Sequence, residues 1–201
     1  MSLDVLVVGI GGQGVMTAAE AIARAALEAG FDATKTEVAG MSQRGGVVCS
    51  QVRIGARVAA SEIRPGTAQL LIAFEAAEGL RWSHYLAPDG CALLDPWHAV
   101  PPVVSSGLHP YPADPAAELR AANLQVREIE ARSTAERLGD VRLANSVMLG
   151  AAASSLPFPG GALRDQVLRR FGSGDLGARN AAAFDAGCAL GAARARPQAM
   201  P

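Results

Sequence analysis

The sequence predicts an α/β protein with three layers, a mainly parallel sheet and an inserted antiparallel β-hairpin. Three observations lead there. Apolar runs of strand length (Asp4–Gly9, Gln69–Phe74, Cys91–Asp95) alternate with helical stretches, the pattern of a sheet buried on both faces. A glycine-rich turn, Gly9 to Gly14, joins the first strand to the first helix, which makes the fold Rossmann-like. The β-rich runs Val47–Ile54 and Arg57–Ile63, separated only by Gly55-Ala56, suit a two-residue hairpin.

In order, Asp4–Gly9 is a strand and Val15–Ala29 an alanine-rich helix that Gly30 stops. Ala33–Val38 returns as a strand, and strand, helix and strand make a right-handed βαβ unit. After the hairpin, Pro65-Gly66 turns the chain into the strand Gln69–Phe74 and the helix Glu75–Leu86. Pro88-Asp89-Gly90 is a turn before Cys91–Asp95. Residues 96–115 hold six of the twelve prolines and read as an extended connection. A short helix, Ala116–Asn123, precedes the strand Gln125–Ile129. Ser133 and Glu136 have capping-box spacing for a helix ending near Leu138. Arg142–Leu156 is an amphipathic helix stopped by Pro157 and Pro159, and helices at Gly161–Phe171 and Gly177–Arg196 finish the chain. Ala183, Gly187 and Gly191 leave a flat stripe on the last one.

Composition narrows the function. The formal net charge of -1 argues against nucleic acid or an anionic membrane as partner. Cys49, Cys91 and Cys188 form no CxxC pair, so they read as reduced thiols rather than cluster ligands. No run reaches transmembrane length, and Asp4 stands where a signal peptide carries positive charge. A cytoplasmic location is expected.

Two motifs carry chemistry. Gly9-Ile10-Gly11-Gly12-Gln13-Gly14 offers free amides and a helix dipole to an anion. Read alone, it serves a nucleotide or only close packing, and Glu37 stands where a ribose-binding carboxylate belongs. Gln43-Arg44-Gly45-Gly46 follows the second strand and sets one arginine fork among flexible glycines, beside the first loop at the carboxyl edge of the sheet. Taken together, VVGIGGQGVMTAAEAIARAA and TEVAGMSQRGGVVCSQVRIG resemble the gamma-type subunits of 2-oxoacid:ferredoxin oxidoreductases. The GMSQRGG form is most similar to the small subunit of the indolepyruvate type, and Asn145–Ala151 is similar to the family's late asparagine–leucine–glycine segment.

The resemblance spans residues 1–201 as one gamma-type domain. It implies oxidative decarboxylation of a 2-oxoacid, an arylpyruvate by the motif variant, with coenzyme A as co-substrate. It also implies a large partner subunit holding thiamine diphosphate, Mg2+ and 4Fe–4S clusters and passing electrons to ferredoxin or NAD, with no cofactor in this chain. The residues agree: there is no GDG…N thiamine motif, Gly139-Asp140-Val141 being the nearest match. Candidate contacts to substrate, coenzyme A or another anion are Gly11, Gly12, Gln13, Gly14, Gln43, Arg44, Gly45, Gly46 and Asn145. No catalytic residue is assigned, nor any role for His84, His98 or His109. Glu75 reads as a helix N-terminal residue. Two rival readings are a stand-alone NAD- or FAD-binding oxidoreductase and a non-catalytic scaffold.

Overall fold

The computed structural model describes residues 2–39, 46–99, 111–172 and 174–193. The strands are β1 (Leu3–Ile10), β2 (Asp32–Ala39), β3 (Val47–Gly55), β4 (Ala68–Ala73), β5 (Leu86–Leu94) and β6 (Gln125–Glu128). They form one sheet in the order β2-β3-β1-β4-β5-β6. The pairs β1–β4, β4–β5 and β5–β6 are parallel, and β3 runs antiparallel to both neighbours.

Helices cover both faces, as the unbroken apolar runs require. Val5 and Val7 of β1 point into one core and Leu6 and Val8 into the other. Against the first face lie α1 (Val15–Glu28), α4 (Ala131–Arg137), α5 (Ala144–Ala152), α6 (Gly160–Phe171) and α7 (Asp175–Ala193). The second face carries α2 (Ala76–Trp82) and α3 (Pro115–Ala121). Gly30 ends α1 in the left-handed region, with Phe31 N–H returning to Ala26 O at 3.0 Å.

The three-layer class holds, but the hairpin is drawn from other strands. Its arms are β2 and β3, paired without a break from Asp32↔Gly55 to Ala39↔Val48. Arg57–Ile63 is not a strand, because β1 and β2 already occupy both edges of β3. Side chains hold it instead: Val58 N–H donates to Asp32 Oδ2 (2.7 Å) and Ile63 N–H to Gln51 Oε1 (2.6 Å). As a result β1 and β2 point the same way with β3 between them, so the βαβ unit spans an intervening strand.

Three further expectations change. The predicted turn at Pro88–Gly90 lies inside β5, where the register slips: Ala68 faces Leu86 but Leu70 faces Cys91. That excess on β5 lets Pro88 sit where no ladder bond is asked of it. Helix α5 is not amphipathic; Asn145 through Ala152 are all buried, because α7 covers the side turned away from the sheet. Helix α4 begins at Ala131 rather than at a Ser133 cap, and its start is capped from a distance by Asp95 Oδ2, which accepts from Arg132 N–H at 2.8 Å.

The small-residue stripe on α7 meets α5. A Cβ on Gly187 would lie 1.9 Å from Val147 O, and one on Gly150 would lie 2.0 Å from Phe184 O. The neighbours Val147–Gly187 and Ala151–Gly191 advance together, so the two helices run parallel. Ser146 Oγ donates to Asn180 Oδ1 at 2.6 Å within this contact.

Candidate functional site at the carboxyl edge

The glycine loop leaves β1 and turns sharply, with Gln13 N–H bonded to Ile10 O at 3.2 Å. Gly12 (φ 104°) and Gly14 (φ 78°) take backbone angles that side chains resist. Gln13 works inward. Its Oε1 accepts from Ile10 N–H at 2.7 Å and its Nε2 donates to Phe74 O at 2.8 Å. This fold-back needs Gly9, whose Cβ would stand 2.5 Å from Gln13 Oε1.

Asn145, at the start of α5, holds the other side. Its Nδ2 donates to Gln13 O (3.1 Å) and Gly14 O (2.9 Å) across more than a hundred residues of chain. Those two carbonyls are thereby drawn inward, away from the mouth. Asn145 is 7% exposed, and its Oδ1 is buried with no hydrogen-bond partner among the described residues. Helix α1 starts at Val15 with no side-chain cap, which leaves the first-turn amides to solvent or a ligand.

Gly46, the last residue of the second motif, reaches the same place. Gly11 N–H donates to Gly46 O at 2.8 Å, tying the return of the second loop to the glycine loop. Gly11 is half-buried and Gly12 exposed, so this junction faces outward. Gln43, Arg44 and Gly45 lie outside the described residues. Glu37 is an ion-paired residue here, bonded to Lys35 Nζ at 2.6 Å. Its strand is two strand spacings, roughly 10 Å, from β1 rather than adjacent. That displaces it from the ribose position of a dinucleotide site.

A second set of polar groups sits at the ends of β4 and β5, and only Glu75 was singled out in the sequence. Glu75 is the N-cap of α2, accepting Glu78 N–H at 2.7 Å, as its position implied. Its other oxygen takes Ala99 N–H (3.2 Å) and the hydroxyl of Tyr111. Burial and the adjacent Glu75 push the Tyr111 phenol well above its usual range. Asp95, 3% exposed, accepts from Trp97 N–H and Arg132 N–H. Burial pushes its carboxyl up to about 6 despite those amides and the Arg132 charge. The Arg132 guanidinium lies 4.3 Å over the Trp97 ring. No sequence signal marks Asp95, since its partner lies 37 residues away.

A groove of about 580 Å³ runs along the outer face of α1, from Met16 and Asn145 near the mouth to Arg169 and Phe171. Its charges largely neutralise one another. Glu20 pairs with Arg24 and with Lys35 (2.9 Å), and Glu28 with Arg169. Hydrogen bonds from Lys35 and Arg24 hold the Glu20 carboxyl below the usual carboxylate range.

Large exposed apolar side chains gather at one end. Met16 opens α1 just after the glycine loop, and Val38 lies near the end of β2. Val141 precedes α5, Leu138 adjoins it, and Leu176 opens the parallel helix α7. Leu27, at the far end of α1, is the exception among the described residues.

A family model described as pyruvate ferredoxin/flavodoxin oxidoreductase matches residues 4–190. The chain belongs to that family. The indolepyruvate oxidoreductase subunit IorB from Archaeoglobus fulgidus is 40% identical over 162 residues, covering 79% of this chain and 80% of that one. Among solved structures, the gamma subunit of keto/oxoacid ferredoxin oxidoreductase from Geobacter sulfurreducens PCA superposes with TM-score 0.69 at 25% identity, over 95% of this chain and 99% of that one. A 2-oxoglutarate:ferredoxin oxidoreductase from Magnetococcus marinus, solved with 2-oxoglutarate, coenzyme A and succinyl-CoA, shares the fold with TM-score 0.76 and 23% identity. This chain covers 96% of its own length in that match but 31% of the larger protein. Membership of the pyruvate ferredoxin/flavodoxin oxidoreductase family confirms the resemblance read from the glycine loop and the QRGG motif. Members of this family are subunits of oxidoreductases, and the chain is one of the gamma type. No helix among the described residues is long and apolar enough to cross a membrane.

Proposed function

We propose that this chain is the small, cofactor-free subunit of a 2-oxoacid:ferredoxin oxidoreductase of the indolepyruvate type, and that its carboxyl edge closes the active site of a large partner subunit. The reading rests on the Gly11–Gly46 bond, which joins the two family motifs into one outward-facing mouth. Exposed Met16, Val141 and Leu176 surround that end, as a surface awaiting another polypeptide does. The kinship to indolepyruvate oxidoreductase small subunits favours an arylpyruvate as substrate.

In this reading thiamine diphosphate, with Mg2+, supplies the electron sink for decarboxylation, and 4Fe–4S clusters carry electrons towards ferredoxin, all within the partner. Among the described residues the donor set suits none of them. Cys49 is buried with its thiol pushed up to about 12, and no three His, Cys, Asp or Glu side chains converge among the described residues. The role of this chain is positional. Asn145 draws the Gln13 and Gly14 carbonyls inward and the Gln13 side chain ties the loop to Ile10 and Phe74, so that the remaining loop and first-turn amides are left for an anionic group of the 2-oxoacid or of coenzyme A. Arg44, of the second motif, supplies the charge, and docking excludes water from the reacting carbon.

Arg44→Ala tests this in the assembled enzyme. We expect kcat/KM for the 2-oxoacid or coenzyme A to fall by about 10- to 100-fold, with the complex still copurifying intact. Unchanged steady-state kinetics in an intact complex would remove the proposed role.

A further inference from the structure

Strand β2 ends the sheet, and no described element pairs with its outer edge. It is long and regular for an edge. Eight residues pair with β3 without a bulge, about 26 Å of backbone. Proteins guard such edges with proline, bulges, short strands or several lysines. Asp32–Ala39 contains no proline, and Lys35 is its single lysine. Thr34, Thr36 and Val38 form a β-branched row on the face away from α1, with Val38 53% exposed. Ala33, Lys35 and Glu37 form the row on the α1 side, where Lys35 bonds Glu20.

We propose that this edge seats a second copy of the chain, antiparallel and related by a two-fold axis through Thr36. Charge selects both occupant and register. A two-fold perpendicular to the sheet keeps each row on its own face, so only registers centred on a residue are allowed. Centred on Lys35 or on Glu37, the pairing sets like charges directly opposite each other. Centred on Thr36, it sets each Lys35 opposite the second copy's Glu37, Thr34 opposite Val38, and Thr36 opposite itself. Opposite charges and β-branched residues in facing positions stabilise antiparallel pairs. Because the strands run antiparallel, the two mouths point to opposite ends of the dimer. Each stays free for its own large subunit, so this inference does not depend on what the mouth binds.

Position 36 gives the test, since a residue on the axis meets only its own copy. Light scattering and sedimentation velocity on the full-length chain should show a dimer for the wild type. Thr36→Lys and Thr36→Glu should each raise the dimer Kd by about tenfold or more, because like charges then face each other. An equimolar mixture of the two variants should restore the dimer. Circular dichroism checks that each variant folds; Glu37→Lys, which also sets like charges opposite, replaces either one that does not. A monomeric wild type, an undiminished Thr36→Lys dimer, or a mixture that fails to pair overturns the proposal. Loss of the dimer with unchanged Arg44 dependence in the assembled enzyme separates this seam from the mouth.

Discussion

Asp95 shows how one residue joins distant parts of this chain. It caps α4 and fixes the turn at Trp97, yet it carries its charge in a nearly closed site. Its folded pKa of about 6 lies above the ordinary value of 3.8, so protonation favours the folded state. That contribution is complete below about pH 4 and is lost as pH rises through 6, a difference on the order of 3 kcal/mol. Asp95→Asn removes the titration. Urea unfolding from pH 4 to 7.5 should show the variant gaining on the wild type across this window, and parallel profiles would mean that Asp95 does not titrate there. Sequence patterns missed Asp95 because capping by a residue from another strand leaves no local spacing. They found the glycines, which answer to a turn of six residues. They also drew attention to Gln13, expected to bond a ligand, whereas both of its polar atoms are engaged with Ile10 and Phe74.

At the level of elements, the pairing of α5 with α7 depends on absent side chains. Gly150 and Gly187 let each backbone touch the other. Alanine normally stabilises a helix relative to glycine by about 1 kcal/mol. Here Gly187→Ala should destabilise by about 3 kcal/mol through overpacking. Gly161→Ala, in α6 with nothing within 4 Å of its added carbon, should be neutral or stabilising. Thermal or urea unfolding of the pair decides it: equal effects would mean that the helices separate at little cost. The stripe on α7 was legible because 183, 187 and 191 recur at helical spacing. The full burial of α5 was not, since alanines and glycines look alike on a covered face and an open one. Pro88 misled for a related reason: its lack of an N–H reads as a break until the slipped register shows that no bond is required there.

For the whole molecule, layers were legible and strand order was not. Alternating runs of strand and helix specify what covers the sheet, whereas the insertion of β3 between β1 and β2 depends on which edges remain free. The polarity of the surface belongs to this scale as well. If the mouth end meets a large subunit, Val141→Asp with Leu176→Asp should abolish copurification of the two chains, while Leu27→Asp at the opposite end should leave it intact. Retention of the complex by the double variant would place the contact elsewhere. Ala39 and Val48 face each other across the ladder, so the stretch between them leaves and re-enters the sheet at neighbouring points. Such a stretch can be lengthened, shortened or exchanged without moving a core residue. Substitutions made there, Arg44→Ala among them, can therefore change what the mouth accepts while the strands beneath keep their register.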